Sequence, residues 1–241
     1  RRAKERIYVN ADYCVGCPST DCDVDVTVDM SAPGVNRWGV AYHEEAPWLF
    51  CDDTPLIATS DLPLTGRHNI ENCLWALALV EPWIEPRRAA QLLVGFQGLP
   101  HRFESISGPT GIRCINDSKA TNVGATLAAL EGFAQDGTLI LIAGGDSKNA
   151  DLSPLGEVMR GRAQLLITLG RDAAALNEAA GASGVLWRQV ATMEEAVSTA
   201  FEHAKAGDTV LLSPACASLD MYANFAARGD HFKELVSQYA K

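Results

Sequence analysis

Long apolar runs are missing from this 241-residue chain: nowhere do eighteen apolar residues follow one another, so no segment reads as a membrane span. No G-x-G-x-x-G turn follows a strand-like stretch, which sets aside a dehydrogenase-type dinucleotide site. The phosphate-cradling spacing G-x-x-x-x-G-K-[ST] is also absent. Basic residues are outnumbered, 20 Lys and Arg against 30 Asp and Glu, and the formal charge of −10 excludes a general nucleic-acid binder. A local basic site stays open. Arg1 to Arg6 has no apolar stretch behind it and is expected not to be a signal peptide. Internal repeats and low-complexity segments are lacking too. The 7 cysteines are odd in number and scattered, which points to a reduced, cytosolic compartment. Cys14 and Cys17 have metal-ligand spacing and Cys22 follows, but no second pair does; His43 and Cys51 are distant candidates, and no zinc is expected.

What is present fits a water-soluble globular protein with core enough for one large or two ordinary domains: 47% apolar and 21% charged residues. Up to about Cys51 the chain offers short alternating stretches, Ile7–Val15, Val24–Val28, Trp38–Tyr42 and Trp48–Cys51. Gly, Pro, Asn and acidic turns separate them, which reads as mixed or antiparallel strands. From Gly66 the period becomes helical. Asn69 serves as N-cap, Ile70, Leu74, Leu77 and Ala78 form an apolar face ending near Pro82, and a second helix runs from Pro86 to about Val94. Gly98 to Arg102 breaks the pattern and marks a domain boundary.

Beyond it strand and helix alternate. Phe103–Ile106 and Ile112–Ile115 form a hairpin; Thr138–Ala143 is a continuous apolar run typical of a strand buried on both faces. Ser153 and Pro154 read as a cap and first helical residue, and Leu165–Leu169 as the next strand. Thr192 and Glu195 form a capping box whose helix closes at Gly207, and Thr209–Leu212 is the last strand. The fold class is α/β: a strand-rich portion with two helices, then a doubly wound, Rossmann-like sheet. In such a sheet the loops after the strands share one edge. There stand Asp117, Lys119 and Thr121 from the polar run Asn116–Asn122, then Lys148 and Arg171, then Ser213 to Ser218. Cations, hydroxyls and helix-terminal N–H groups so gathered suit a small anion, a dicarboxylate or a phosphate.

Four motifs occur in order: Gly98-Leu-Pro-His-Arg-Phe-Glu104, Ile115-Asn-Asp-Ser-Lys-Ala-Thr-Asn122, Gly144-Gly-Asp-Ser-Lys148 and Ser213-Pro-Ala-Cys-Ala-Ser-Leu-Asp220. Together they resemble the Mur ligase family, in its branch adding D-glutamate to UDP-N-acetylmuramoyl-L-alanine in peptidoglycan synthesis. The similarity is tight from Gly66 onward and looser before it. It implies that residues 1–98 are the later portion of a central ATPase domain, and that residues 99–241 are a C-terminal domain binding D-glutamate. The family's UDP-binding domain, P-loop and metal-binding glutamate have no counterpart here. The chain is therefore expected to be a piece of a longer, cytoplasmic, monomeric enzyme and inactive alone.

The resemblance also implies roles. Lys4 falls where the family carries a carbamylated lysine that helps hold Mg2+. Asn69 and Asn72 match residues near the adenine of ATP, while Arg102 and Asp117 match nucleotide contacts with His101 beside them. Thr121, Lys148, Ser218, Leu219 and Phe225 match the D-glutamate pocket, Leu219 through its backbone, and Lys119 stands close by. The implied reaction passes from ATP through an acyl phosphate to the amide. Two other readings remain: a non-catalytic module keeping only the anion pocket, and a piece of a sister Mur ligase or folylpolyglutamate synthetase.

Overall fold

The structure, a computed structural model, describes residues 8–10, 26–28, 30, 37–62, 67–96, 98–133 and 137–240. It separates into two units, Arg1–Gly98 and Leu99–Lys241.

The first unit carries a five-stranded mixed sheet, β1 (Tyr8–Asn10), β2 (Val26–Val28), β3 (Arg37–His43), β4 (Ala46–Cys51) and β5 (Thr54–Ala58), in that order. The first three strands run parallel, and β3 to β5 form an antiparallel meander. Two helices, α1 (Arg67–Val80) and α2 (Pro86–Leu93), share its core through Leu74, Leu77, Ala78, Ala89 and Ala90, packed with Val28, Trp38, Leu49 and Ile57. Asn69 is not the N-cap that its residue type suggests. The helix begins at Arg67, so Asn69 lies inside its first turn. In α2 the cap is Glu85, whose carboxylate accepts the N–H groups of Arg87 and Arg88. β5 lacks a clear alternating signal because Thr54 and Pro55 open it, and it escapes a reading by period.

The second unit is a six-stranded sheet in the order β10 (Trp187–Gln189), β9 (Ala163–Leu169), β8 (Leu139–Gly144), β11 (Thr209–Leu212), β7 (Arg113–Asn116), β6 (Glu104–Ile106). All pairs are parallel except the β6–β7 hairpin at one edge. Alternation sorts the strand residues between two cores. Ile115, Leu139, Leu141, Ala143, Leu166 and Leu211 face α3 (Val123–Glu131), α4 (Ser153–Met159) and α5 (Ala173–Ala182). Cys114, Ile140, Ile142, Leu165, Ile167, Val210 and Leu212 face α6 (Met193–His203) and α7 (Phe225–Tyr239). Every residue of β8 is buried, as a central strand covered on both sides requires.

Two helix boundaries differ from the sequence expectation. Ser153 is the first residue of α4, not its cap, and the side chain meeting its N–H is Asp151. Helix α6 ends at His203, and Gly207 lies in the following turn, where a φ of +100° requires glycine. Strand β10 and helix α5 carry Ala, Gly and exposed Trp187 in place of periodic apolar residues, so period alone does not reveal them.

Because β7, β8, β9 and β11 are parallel, their carboxyl ends lie along one edge. The chain leaves β7 and β8 toward one face and β11 toward the other. A crevice therefore opens on either side of β11, where open α/β sheets take their ligands.

Candidate functional site

The edge is built on buried polar contacts. At the end of β7, Asn116 is wholly buried, and its carboxamide N–H groups reach Glu104 Oε2 at 3.1 Å and His101 Nδ1 at 3.0 Å. With Nδ1 accepting, the His101 proton resides on Nε2, 3.8 Å from Asp230 Oδ1. The ring also meets Phe225 edge to face, centroids 5.9 Å apart. Gly229 of α7 passes so close that a Cβ there would collide with His101 Nδ1, so the helix approaches the loop only because this residue has no side chain. Burial alone would raise Glu104, but the His101 N–H and the Lys233 ammonium outweigh it and hold the carboxyl below its usual range.

Asp117 follows Asn116 and is mostly buried. Oδ1 accepts the N–H of Phe103 at 3.1 Å, and Oδ2 accepts the Ser213 hydroxyl at 2.9 Å. Desolvation dominates these two bonds and the Arg102 charge, and the carboxyl is pushed up to about 6. Lys119 places its ammonium 4.1 Å from the centre of the Phe225 ring, a cation–π contact that gives it a fixed station. Thr121 is half-buried just before α3, which Asn122 caps by accepting the Ala125 N–H at 3.0 Å.

At the end of β8, Gly144 and Gly145 adopt φ of +134° and +126°, and a Cβ at either would strike the carbonyls of Leu169 or Ala217. That close approach lets Asp146 and Ala217 exchange both backbone hydrogen bonds, at 2.9 and 2.8 Å, joining the β8 and β11 loops. Lys148 comes next, exposed, with its N–H on Asp146 Oδ1. Ser218, midway along the β11 loop, is 3% exposed and lines a cavity of about 10 Å³ beside Asp220, Tyr222 and Arg228. Leu219 is open to solvent at 69%, so its side chain contributes little packing there.

The residue joining these loops is Arg228 on α7, 3% exposed. Its guanidinium donates to Ser118 Oγ and Ser118 O at 3.0 Å, Cys216 O at 3.1 Å and Gly144 O at 3.3 Å. Burial lowers it to about 10, so it stays charged at neutral pH. Nothing in the four motifs names it, yet a signal exists. Arg228 falls on the same stripe as Phe232, Leu235 and Val236, where a charged residue must have a polar partner.

Asp117, Lys119, Thr121, Lys148 and Ser218 thus stand on the loops of one edge, with Phe225 opening α7 beside Lys119. His101 packs beneath that edge, and Arg102 is exposed next to it. Arg171 is not the free cation expected: Nη1 lies 2.6 Å from Asp146 Oδ2. Asn69, half-buried, and Asn72, exposed, belong to α1 of the first unit, one helical turn apart. Lys4, Cys14, Cys17 and Cys22 lie outside the described residues. His43 packs against Trp48, and burial pushes the Cys51 thiol up to about 12. Among the described residues no three His, Cys, Asp or Glu are grouped to hold a metal ion, so they give Mg2+ no complete ligand set.

Residues 101–216, within the second unit, match the Mur ligase, glutamate ligase domain. UDP-N-acetylmuramoylalanine–D-glutamate ligase of Nitrosococcus oceani is 48% identical over 98% of this chain and 54% of its own length. The enzyme of that name from Escherichia coli K12 is 41% identical over 99% of this chain and 55% of its own. This chain belongs to the Mur ligase family. It spans about half the length of the curated relatives it matches. Two solved structures share the Mur ligase fold at 14% identity. Thermotoga maritima UDP-N-acetylmuramate-alanine ligase has a TM-score of 0.63, covering 90% of this chain and 49% of that one. Folylpolyglutamate synthase of the same organism has 0.56, covering 88% and 54%.

Two outcomes follow for this Mur ligase chain. Arg228→Lys should lower unfolding stability by about 3 kcal/mol or more in urea melts, because one ammonium cannot reach four acceptors on three loops. A loss under about 1 kcal/mol would mean the loops hold together without the fork. For Asp117, the folded pKa lies above the unfolded one, so its contribution is complete below about 3.8 and lost as pH rises through about 6. Asp117→Asn can keep both hydrogen bonds without the charge. It should stabilise the fold by about 1–2 kcal/mol at pH 8, the difference closing by pH 4, in denaturant titrations at both.

Proposed function

We propose that this chain is the D-glutamate-binding portion, with part of the nucleotide-binding portion, of an ATP-dependent amide ligase acting on UDP-N-acetylmuramoyl-L-alanine. What supports the reading is that Lys148, Thr121 and Ser218 stand on the loops of three adjacent strands at the carboxyl edge, with Lys119 over the Phe225 ring on one of those loops. D-Glutamate has two carboxylates, and the edge offers two kinds of anchor. Lys148 supplies a point charge and Thr121 a hydroxyl at one end. Ser218, with backbone N–H groups including that of Leu219, serves the other.

In this reading ATP passes its γ-phosphoryl group to the alanyl carboxylate, giving ADP and an acyl phosphate. The D-glutamate amine attacks the acyl carbon, loses a proton, and phosphate departs as the amide forms. Lys119 sits where a fixed positive charge would stabilise the anionic phosphoryl group, and the Phe225 face keeps it from collapsing onto a carboxylate. Arg102 and Asp117 contact the nucleotide, with His101 setting the loop between them. Asn69 and Asn72, on α1, are the proposed adenine contacts. Mg2+, when bound, neutralises phosphate charge, and Lys4 as a carbamate is one proposed ligand.

In a full-length ligase carrying this sequence, Lys148→Ala should raise the D-glutamate KM roughly tenfold or more while the ATP KM stays within about twofold. A solvated turn lysine would change neither, and steady-state kinetics varying each substrate separates the two. The 241-residue chain alone has no G-x-x-x-x-G-K-[ST] cradle and should release no phosphate from ATP. Steady release by the purified chain, abolished by Lys119→Ala, would contradict this.

A further inference from the structure

One hydrogen-bonded chain of side chains at the carboxyl edge belongs to none of the four motifs. The Tyr222 hydroxyl lies 2.9 Å from His231 Nδ1, and His231 Nε2 lies 3.2 Å from Glu194 Oε1. The three come from different pieces: Tyr222 from the loop after β11, His231 from the second turn of α7, Glu194 from the first turn of α6. One tautomer satisfies the whole chain, with the phenol donating to Nδ1 and Nε2–H donating to the carboxylate. Burial first, then the Glu194 charge, pushes Tyr222 up to about 12 against the opposing charge of Arg228, so the phenol keeps its proton. Glu194 is held below the usual carboxylate range by its own N–H, then by the Thr192 hydroxyl, with His231 adding to both. It therefore stays an acceptor.

The backbone shows what this chain of bonds holds. Met221 N–H and Tyr222 N–H both donate to the Ser218 carbonyl, at 3.0 and 2.8 Å, closing a turn that begins at Ser218. Apolar burial does little to fix that turn, since Leu219 is 69% exposed and Met221 39%. Its middle is tied where Arg171 N–H donates to Asp220 Oδ2 at 2.8 Å. Its far end is tied by Tyr222, whose ring packs against the α6–α7 core while its hydroxyl meets His231. Ser218 and Tyr222 also line the same small cavity, so a shift of the ring moves the wall beside Ser218.

We infer that Tyr222, His231 and Glu194 are positioning residues that set the Ser218 turn, and through it the end of the pocket that takes one D-glutamate carboxylate. The inference rests on the proposed function for the identity of the ligand, and on the geometry for the rest. None of the three touches the ligand. They fix the angle at which Ser218 and the following N–H groups face it.

The test uses the 15N-labelled 241-residue chain. Amide hydrogen exchange at Met221 and Tyr222 reports the turn directly. Tyr222→Phe and His231→Leu should each speed that exchange about tenfold, with the core amides of Leu141 and Ile167 unchanged. His231→Gln, whose carboxamide both accepts and donates, should restore most of the protection. D-Glutamate titration followed at the Ser218 amide should show half-saturation rising several-fold in the first two variants and returning toward wild type in the third. Unchanged exchange at Met221 and Tyr222 overturns the inference. So does faster exchange with an unchanged D-glutamate titration, which would make the bonds merely structural. A wild-type chain whose Ser218 and Lys148 amides both ignore D-glutamate would count against the proposed function, while the exchange comparison still decides whether these residues set the turn.

Discussion

The carboxyl edge of the second unit depends on one buried cation. Arg228 reaches from α7 to carbonyls on the loops after β7, β8 and β11, and no carboxylate is among the acceptors of its four bonds. Desolvating a guanidinium costs several kcal/mol, and hydrogen bonds to carbonyls only partly offset that. The arrangement gives each of these carbonyls a donor. Ser118 O and Cys216 O lie on the loops past β7 and β11, and Gly144 O lies at the last residue of β8, where buried carbonyls need partners. A lysine could meet one or two of these acceptors. The planar fork meets all of them, and so fixes the three loops against one another before any ligand arrives.

The glycines complete that constraint from the backbone side. Gly144, Gly145 and Gly229 each stand where a neighbour's atoms occupy the space of a Cβ, and they allow the β8 loop, the β11 loop and α7 to close on one another. The two-residue bridge between Asp146 and Ala217 and the four bonds of Arg228 then act on the same loops from opposite sides. Preorganisation of this kind matters for a small, doubly charged ligand. Little apolar area is available to hold it, and misplaced donors recover little of the cost of its desolvation.

Much of this was legible in the residues. The unbroken apolar run Leu139–Ala143 could only be a central strand, and the parallel order around β8 follows from the strand–helix alternation after Phe103. The polar run Asn116–Asn122 lay between a strand and a helix, and α3 does begin at Val123. Helix starts were harder, because cap residues are common and position is decided by tertiary packing. Asn69 sits inside its helix, and Ser153 yields its role to Asp151. Arg171 read as a cation at the edge, but the sequence does not say that Asp146, twenty-five residues away, takes its charge. Arg228 was hidden for the opposite reason. A single arginine in an amphipathic helix looks like a solvated one until its place on the apolar stripe is noticed.

The fates of the cations separate by chemistry. Arg228 and Arg171 are both committed within the protein, one to carbonyls and a hydroxyl, the other to a carboxylate. Among the described residues Lys119 and Lys148 make no ion pair. Lys119 is held by a ring face, and Lys148 projects from a turn whose carboxylate, Asp146, is already taken by Arg171 and by the Lys148 N–H itself. Asp146 is thus kept from Lys148 by a neighbouring arginine. The Arg171–Asp146 pair is partly exposed and worth little to stability. Its consequence is electrostatic: it occupies the carboxylate of the turn that carries Lys148.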